Sequence, residues 1–170
     1  EYKCKIVKIV DGDTVDIDLD LGFGVWLRDE RVRIMGIDTP ESRTTDKIEK
    51  IFGLAAKDRL NSLLGGEAIL LSQVTKGGEN MKGKFGRILG NFKTINGKDV
   101  AETLMEEGHA VAYNGGDKDN VQMQHLANRQ KLIDSGKIPT PEGMSKVKNA
   151  YNEFKATKPP AKKKRKSKKK

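Results

Sequence analysis

The stretch TVDIDLDLG, residues 14–22, alternates apolar and acidic residues without an error, placing Val15, Ile17 and Leu19 opposite Asp16, Asp18 and Asp20. Period-two alternation is a half-buried strand, one face on a core and one toward water. Asp11-Gly12 separates it from an earlier run, KCKIVKIV (3–10), and Asn/Asp-Gly pairs mark tight turns. After Gly22 and Gly24, residues 25–37 read as a third strand. Three strands in a row, with no helix between them, exclude a parallel sheet built from strand–helix–strand units.

The remaining pattern supplies helices and two more strands. Residues 46–64 carry apolar positions at helical spacing, stopped by Gly65-Gly66. Strands are expected at 67–74 and 84–92, with a polar hairpin between them. Helices are expected at 99–107 and 119–135, the second capped by Asp119 or Asn120. This order suits an α+β fold, a five-stranded barrel of the oligonucleotide-binding (OB) shape with three main helices outside it. The division expected is a barrel domain over 1–138, an amphipathic helical extension over 139–156 and a disordered tail over 157–170.

Charge sharpens that division. Of 33 Lys and Arg, ten fall between Lys155 and Lys170, where there is no acid. The rest of the chain holds 23 basic against 24 acidic residues, so a near-neutral globule carries a basic tail. KKKRKSKKK has no apolar surface to bury and repels itself. It reads as a solubilising end, an import signal or, the reading preferred here, a tether for nucleic-acid phosphates.

The lone Cys4 excludes an intramolecular disulfide and reads as a small buried residue. No apolar run is long enough to span a membrane, and no membrane partner is expected. A monomer is expected. No signal peptide is visible at the start, and an intracellular setting is preferred over others.

Three polar motifs fall at strand ends: DGDT with Asp13; RVRIMGIDTPE with Arg33, Asp38, Thr39 and Glu41; and KFGR with Lys84, Phe85 and Arg87. Two carboxylates with nearby carbonyls make an oxygen-only site suited to calcium or magnesium, and no His or Cys cluster competes for zinc. Two arginines match phosphate oxygens in pairs, and Glu41 is left to accept a proton from water. Each motif has a plainer account: turn residues, a helix cap with Pro40 at its first position, and a solvated face. DxDxD fails as an EF-hand loop because Leu21 and Leu27 stand where Gly and Glu are needed, so its acids read as a solvated face. His109 and His125 lie away from these motifs in sequence and are expected to be structural or on the surface. Trp26 is expected to be a packed aromatic.

DGDT, RVRIMGIDTPE, KFGR and GHAVAY in this order resemble the staphylococcal nuclease-like domains, over about residues 3–135. The resemblance implies an OB barrel with three helices that hydrolyses DNA and RNA with calcium; with few carboxylates and a need for flexible coordination, magnesium is expected to serve less well. It implies Asp13, Asp38 and the Thr39 carbonyl as calcium ligands and Glu41 as general base. Arg33 and Arg87 match the phosphate-binding arginines. Lys84, Phe85 and Tyr113 match positions around the substrate, which is expected to be single-stranded or frayed and to be left with 3′-phosphates. Phe85 stands where the reference nuclease has tyrosine, and Gly83 where it has an acid. The rival reading is a catalytically inactive barrel that only binds nucleic acid; a protein-interaction module has no positive support.

Overall fold

The computed structural model describes residues 1–144 and 152. The extension expected over 139–156 lies largely outside them, and the tail over 157–170 wholly so.

Five strands close a barrel: β1 (Tyr2–Asp11), β2 (Thr14–Asp20), β3 (Trp26–Ile34), β5 (Glu67–Ser72) and β6 (Ile88–Thr94). Their order around it is β1-β2-β3-β6-β5, and β3–β6 is the parallel contact that closes it. Closure leaves no unpaired edge. Val15, Ile17, Leu19, Val32, Ile34, Leu70 and Phe92 fill the inside, each 5% exposed or less. Burying side chains of this size contributes roughly 1.5–3 kcal/mol each. Helices α1 (Lys47–Leu64) and α2 (Val100–Glu106) join the same core through Leu60, Leu64, Val100 and Leu104. Helix α3 (Lys118–Asp134) meets α1 in a second cluster of Phe52, Leu132 and Ile138. Arg59 on α1 holds Glu107, just past α2, with two bonds of 2.6 and 2.8 Å.

Four expectations need correction. The third strand does not run on to Ile37. Gly36 takes φ +78°, a conformation that suits glycine, and the chain turns. Ile37–Asp38 form β4, which pairs with β7 (Val111–Ala112) in a separate two-stranded sheet. The strand expected from Lys84 begins only at Ile88, because Phe85 and Gly86 both have positive φ and Lys84–Gly86 form a short 3-10 turn. The cap of α3 is Asp117, whose carboxylate accepts from the Asp119 amide at 2.9 Å.

The acids of β2 are a solvated face only in part: Asp18 and Asp20 remain partly exposed, but Asp16 does not. Asp16 is buried and takes Nε and Nη2 of Arg31 at 2.7 and 2.9 Å, while Asp18 holds Arg28 at 2.7 Å. Cross-strand neighbours of opposite charge supplied partners that the alternation could not reveal.

Candidate active site

Three loops meet above one end of the barrel. The β1–β2 turn brings Asp11 and Asp13, the β4–α1 segment brings Thr39 and Glu41, and the turn before β6 brings Phe85 and Arg87. Gly12 is required where the first two touch: a Cβ there would lie 2.8 Å from Thr39 Oγ1 and 2.9 Å from the Ala56 methyl.

Arg33 is the centre of the arrangement. Its Nη2 lies 3.1 Å from Asp13 Oδ2 and 3.8 Å from Asp38 Oδ1, and it donates to the Ile37 carbonyl at 3.0 Å. Its Nη1 donates to the Ile34 carbonyl. Each carboxylate is oriented by a second bond. Thr14 Oγ1 donates to Asp13 Oδ1 at 2.9 Å, and His125 Nε2 lies 2.8 Å from Asp38 Oδ2. Burial pushes the Asp13 carboxyl above its usual range, against the pull of Arg33.

The cleft over this centre has a volume of about 540 Å³ and is lined by Asp13, Arg33, Glu41, Phe85 and Arg87, together with Asp11, Asp16, Arg31 and Arg43. The Glu41 carboxyl is pushed up to about 7, chiefly by desolvation, then by the negative charge of Asp11 and a hydrogen bond with it. Phe85 is 94% exposed on the rim, and the Arg87 guanidinium lies 5.9 Å from its ring centroid. Phe85 takes φ +64°, strained backbone for a non-glycine residue, at the turn that holds its ring out on the rim.

Not every expected residue lines that cleft. Tyr113 lines a neighbouring depression of about 320 Å³, shared with Arg33 and Gly36. Thr39 is buried against the β1–β2 turn, and Asp38 reaches the centre through Arg33. The side chain of Lys84 lies outside what is described.

The donor set fits a hard divalent cation. Two carboxylate oxygens already converge on one positively charged nitrogen, both acids are pre-oriented, and carboxylate oxygen is what calcium and magnesium prefer. Among the described residues no group of three or more His, Cys, Asp or Glu is arranged to hold a metal, so two acids would share the ion with carbonyl oxygen, water or substrate.

Two groups escaped the sequence reading. His125 was expected to be structural or on the surface; it is buried, and it touches Asp38 across 87 residues of chain, through the packing of α3 beside β7, a contact with the motif set that its sequence position did not show. Asp11 reads as a turn residue, and it does accept the Gly12 amide at 2.9 Å; it also accepts the Ser42 amide at 3.3 Å and bears on Glu41. Its place in the DGD triplet was the available signal for it. For His125 a single sequence held none. Trp26 is not simply packed: Lys5 and Arg28 lie 5.4 and 5.0 Å from its ring, at the far end of the barrel.

A closed five-stranded barrel flanked by three helices, with two acids and a guanidinium at its mouth, defines a nuclease-like OB fold. Residues 31–137 match the profile of the staphylococcal nuclease homologue family, and the chain belongs to that family. It is 30% identical over 119 residues to endonuclease YhcR of Bacillus subtilis, covering 66% of this chain and 9% of that protein. An uncharacterized endonuclease of Escherichia coli is 26% identical over 129 residues, 75% of this chain and 72% of that protein. Endonuclease YncB of B. subtilis is 31% identical over 107 residues, 62% of this chain and 46% of that protein. The chain thus spans a small part of YhcR, under half of YncB and most of the E. coli relative. Among the described residues no helix is long and apolar enough to cross a membrane.

Proposed function

We propose that the chain is a calcium-dependent phosphodiesterase that hydrolyses DNA, RNA or both, preferring single-stranded or frayed segments and leaving 3′-phosphates. The observation that carries this reading is the convergence of Asp13, Arg33, Glu41 and Arg87 on one cleft, with Asp38 tied to it through Arg33. The names of the relatives, all endonucleases, support the same class.

Asp13 and Asp38, with the Thr39 carbonyl, would hold the ion. When bound, it supplies positive charge that offsets the negative charge building on the phosphate. The cleft needs such help, since five of its lining residues are acids (Asp11, Asp13, Asp16, Asp29, Glu41) and four are arginines. Arg33 and Arg87 present guanidiniums to the phosphate oxygens. Glu41 takes a proton from the attacking water as the water oxygen bonds to phosphorus; the bond to the 5′ oxygen breaks, and that oxygen takes a proton from solvent and leaves as a 5′ hydroxyl. Phe85 offers a stacking surface at the rim, and Lys84 and Tyr113 contact the remainder of the nucleotide. The basic tail holds the polyanion nearby through its phosphates.

End-labelled single-stranded DNA incubated with calcium, magnesium or a chelator tests the reading. Cleavage with calcium, less with magnesium and none with chelator is expected, with 3′-phosphate ends. Full activity after exhaustive chelation would overturn the metal dependence, and 5′-phosphate ends the bond assignment.

A further inference from the structure

Glycine is the least favourable residue after proline in a helix interior, yet Gly53 sits in the second turn of α1. Its place is explained by what lies against it. A Cβ on Gly53 would fall 2.4 Å from both the carbonyl carbon and the carbonyl oxygen of Glu41, and 2.6 Å from the Ser42 amide nitrogen. These are backbone atoms, so no side-chain rotation relieves the overlap. Ordinary contact begins at 3.4 Å, and a methyl here would drive the segment back by about 1 Å. The same segment is held by two further hydrogen bonds, one of them also to α1. The Glu41 amide donates to Glu49 Oε1 on α1 at 3.3 Å, and the Ser42 amide donates to Asp11 Oδ1 at 3.3 Å.

We propose that Gly53 is a positioning residue for Glu41: the bare backbone of α1 forms the seat that fixes how far the Glu41 carboxylate reaches into the cleft. This rests on the reading of Glu41 as the general base. Proton abstraction depends steeply on geometry, and a misplacement of about 1 Å can lower a rate by on the order of 10²-fold.

The test compares Gly53→Ala with Leu54→Ala, a change at an exposed position one residue along the same helix. Gly53→Ala is expected to fold but to melt below wild type, since the overlap falls on backbone atoms, to lower kcat by about 10- to 100-fold and to leave KM within about two-fold. Leu54→Ala is expected to leave both within about two-fold, as surface changes usually do. The decisive comparison is in a Glu41→Gln background. There Gly53→Ala is expected to cost less than about two-fold, since residues acting through one another are non-additive. An undiminished loss in that background would show a merely structural role, and a kcat near wild type in the single variant would end the proposal. If Gly53→Ala does not fold, Glu49→Ala removes the other tie from α1, and its kcat must fall and lose that effect in the Glu41→Gln background, or the proposal fails. A wild-type protein that cleaves nothing would instead defeat the nuclease reading. The seat would then be judged by amide resonances: Glu41 and Ser42 must shift in Gly53→Ala and not in Leu54→Ala, or the seat itself is refuted.

Discussion

His125 Nε2 on α3 lies 2.8 Å from Asp38 Oδ2 on β4, and the imidazole side chain is only 7% exposed. Asp38 therefore meets Arg33 with one oxygen and His125 with the other. Partners behind a metal-binding carboxylate commonly govern its affinity by 10- to 100-fold. His125→Ala is expected to weaken calcium binding, measured by titration calorimetry, by about that factor. An unchanged dissociation constant would mean that Asp38 is oriented by Arg33 and the backbone alone.

Glu41 and Arg87 line the same cleft but serve different ends of the proposed reaction. Groups that act on developing charge matter more in the transition state than in the ground state. Arg87→Ala and Glu41→Gln are each expected to lower kcat by roughly 10²–10³, with circular dichroism and melting unchanged. A loss of only a few-fold in both would show that the chemistry has been placed on the wrong residues.

Two groups are expected to weaken the fold in acid. Burial holds the His109 pKa below its ordinary 6.5, so the unfolded chain takes up a proton that the folded one refuses. Its contribution is present above pH 6.5 and lost progressively below. Arg59, chiefly by hydrogen bonding, holds the Glu107 carboxyl below 4.5, so its contribution is present above pH 4.5 and lost as pH falls through the folded value. Between pH 7 and 4.5 the raised Glu41 carboxyl works the other way, the folded chain taking up its proton first, so the His109 loss is read as the difference between wild type and variant; below 4.5 the melting temperature is expected to fall through Glu107. His109→Gln should remove the first loss and Glu107→Gln the second, and a variant profile parallel to wild type would clear that residue of the effect.

The tail carries eight basic residues in its last nine. Each phosphate it neutralises should add about −0.7 to the log–log salt slope on single strands and about −0.9 on duplex. Truncation before Ala161 is expected to raise KM and flatten that slope while kcat stays near wild type. If KM and slope both hold, the tail is an address signal or a solubilising end.

What the sequence determined is what lies close along it. Alternation set β2 inside out correctly for Val15, Ile17 and Leu19, because side-chain direction in a strand has period two. Helix α1 was legible from its spacing, with Asp46 capping the Ile48 and Glu49 amides. Of the residues in the three motifs, Asp13, Glu41, Phe85 and Arg87 line one cleft with Arg33, since strand ends and turns project polar groups by local geometry. Tertiary structure decided the rest. Whether Asp16 faced water depended on Arg31 opposite, and whether the chain past Gly36 carried on in the barrel or paired elsewhere depended on β7, which took Ile37 and Asp38. His125 joined the site only because α3 packs back beside β7. Gly53 acquired its meaning from a loop folded onto it. Each of these is a contact between segments distant in sequence, and such contacts are fixed by packing in three dimensions, which no local period records.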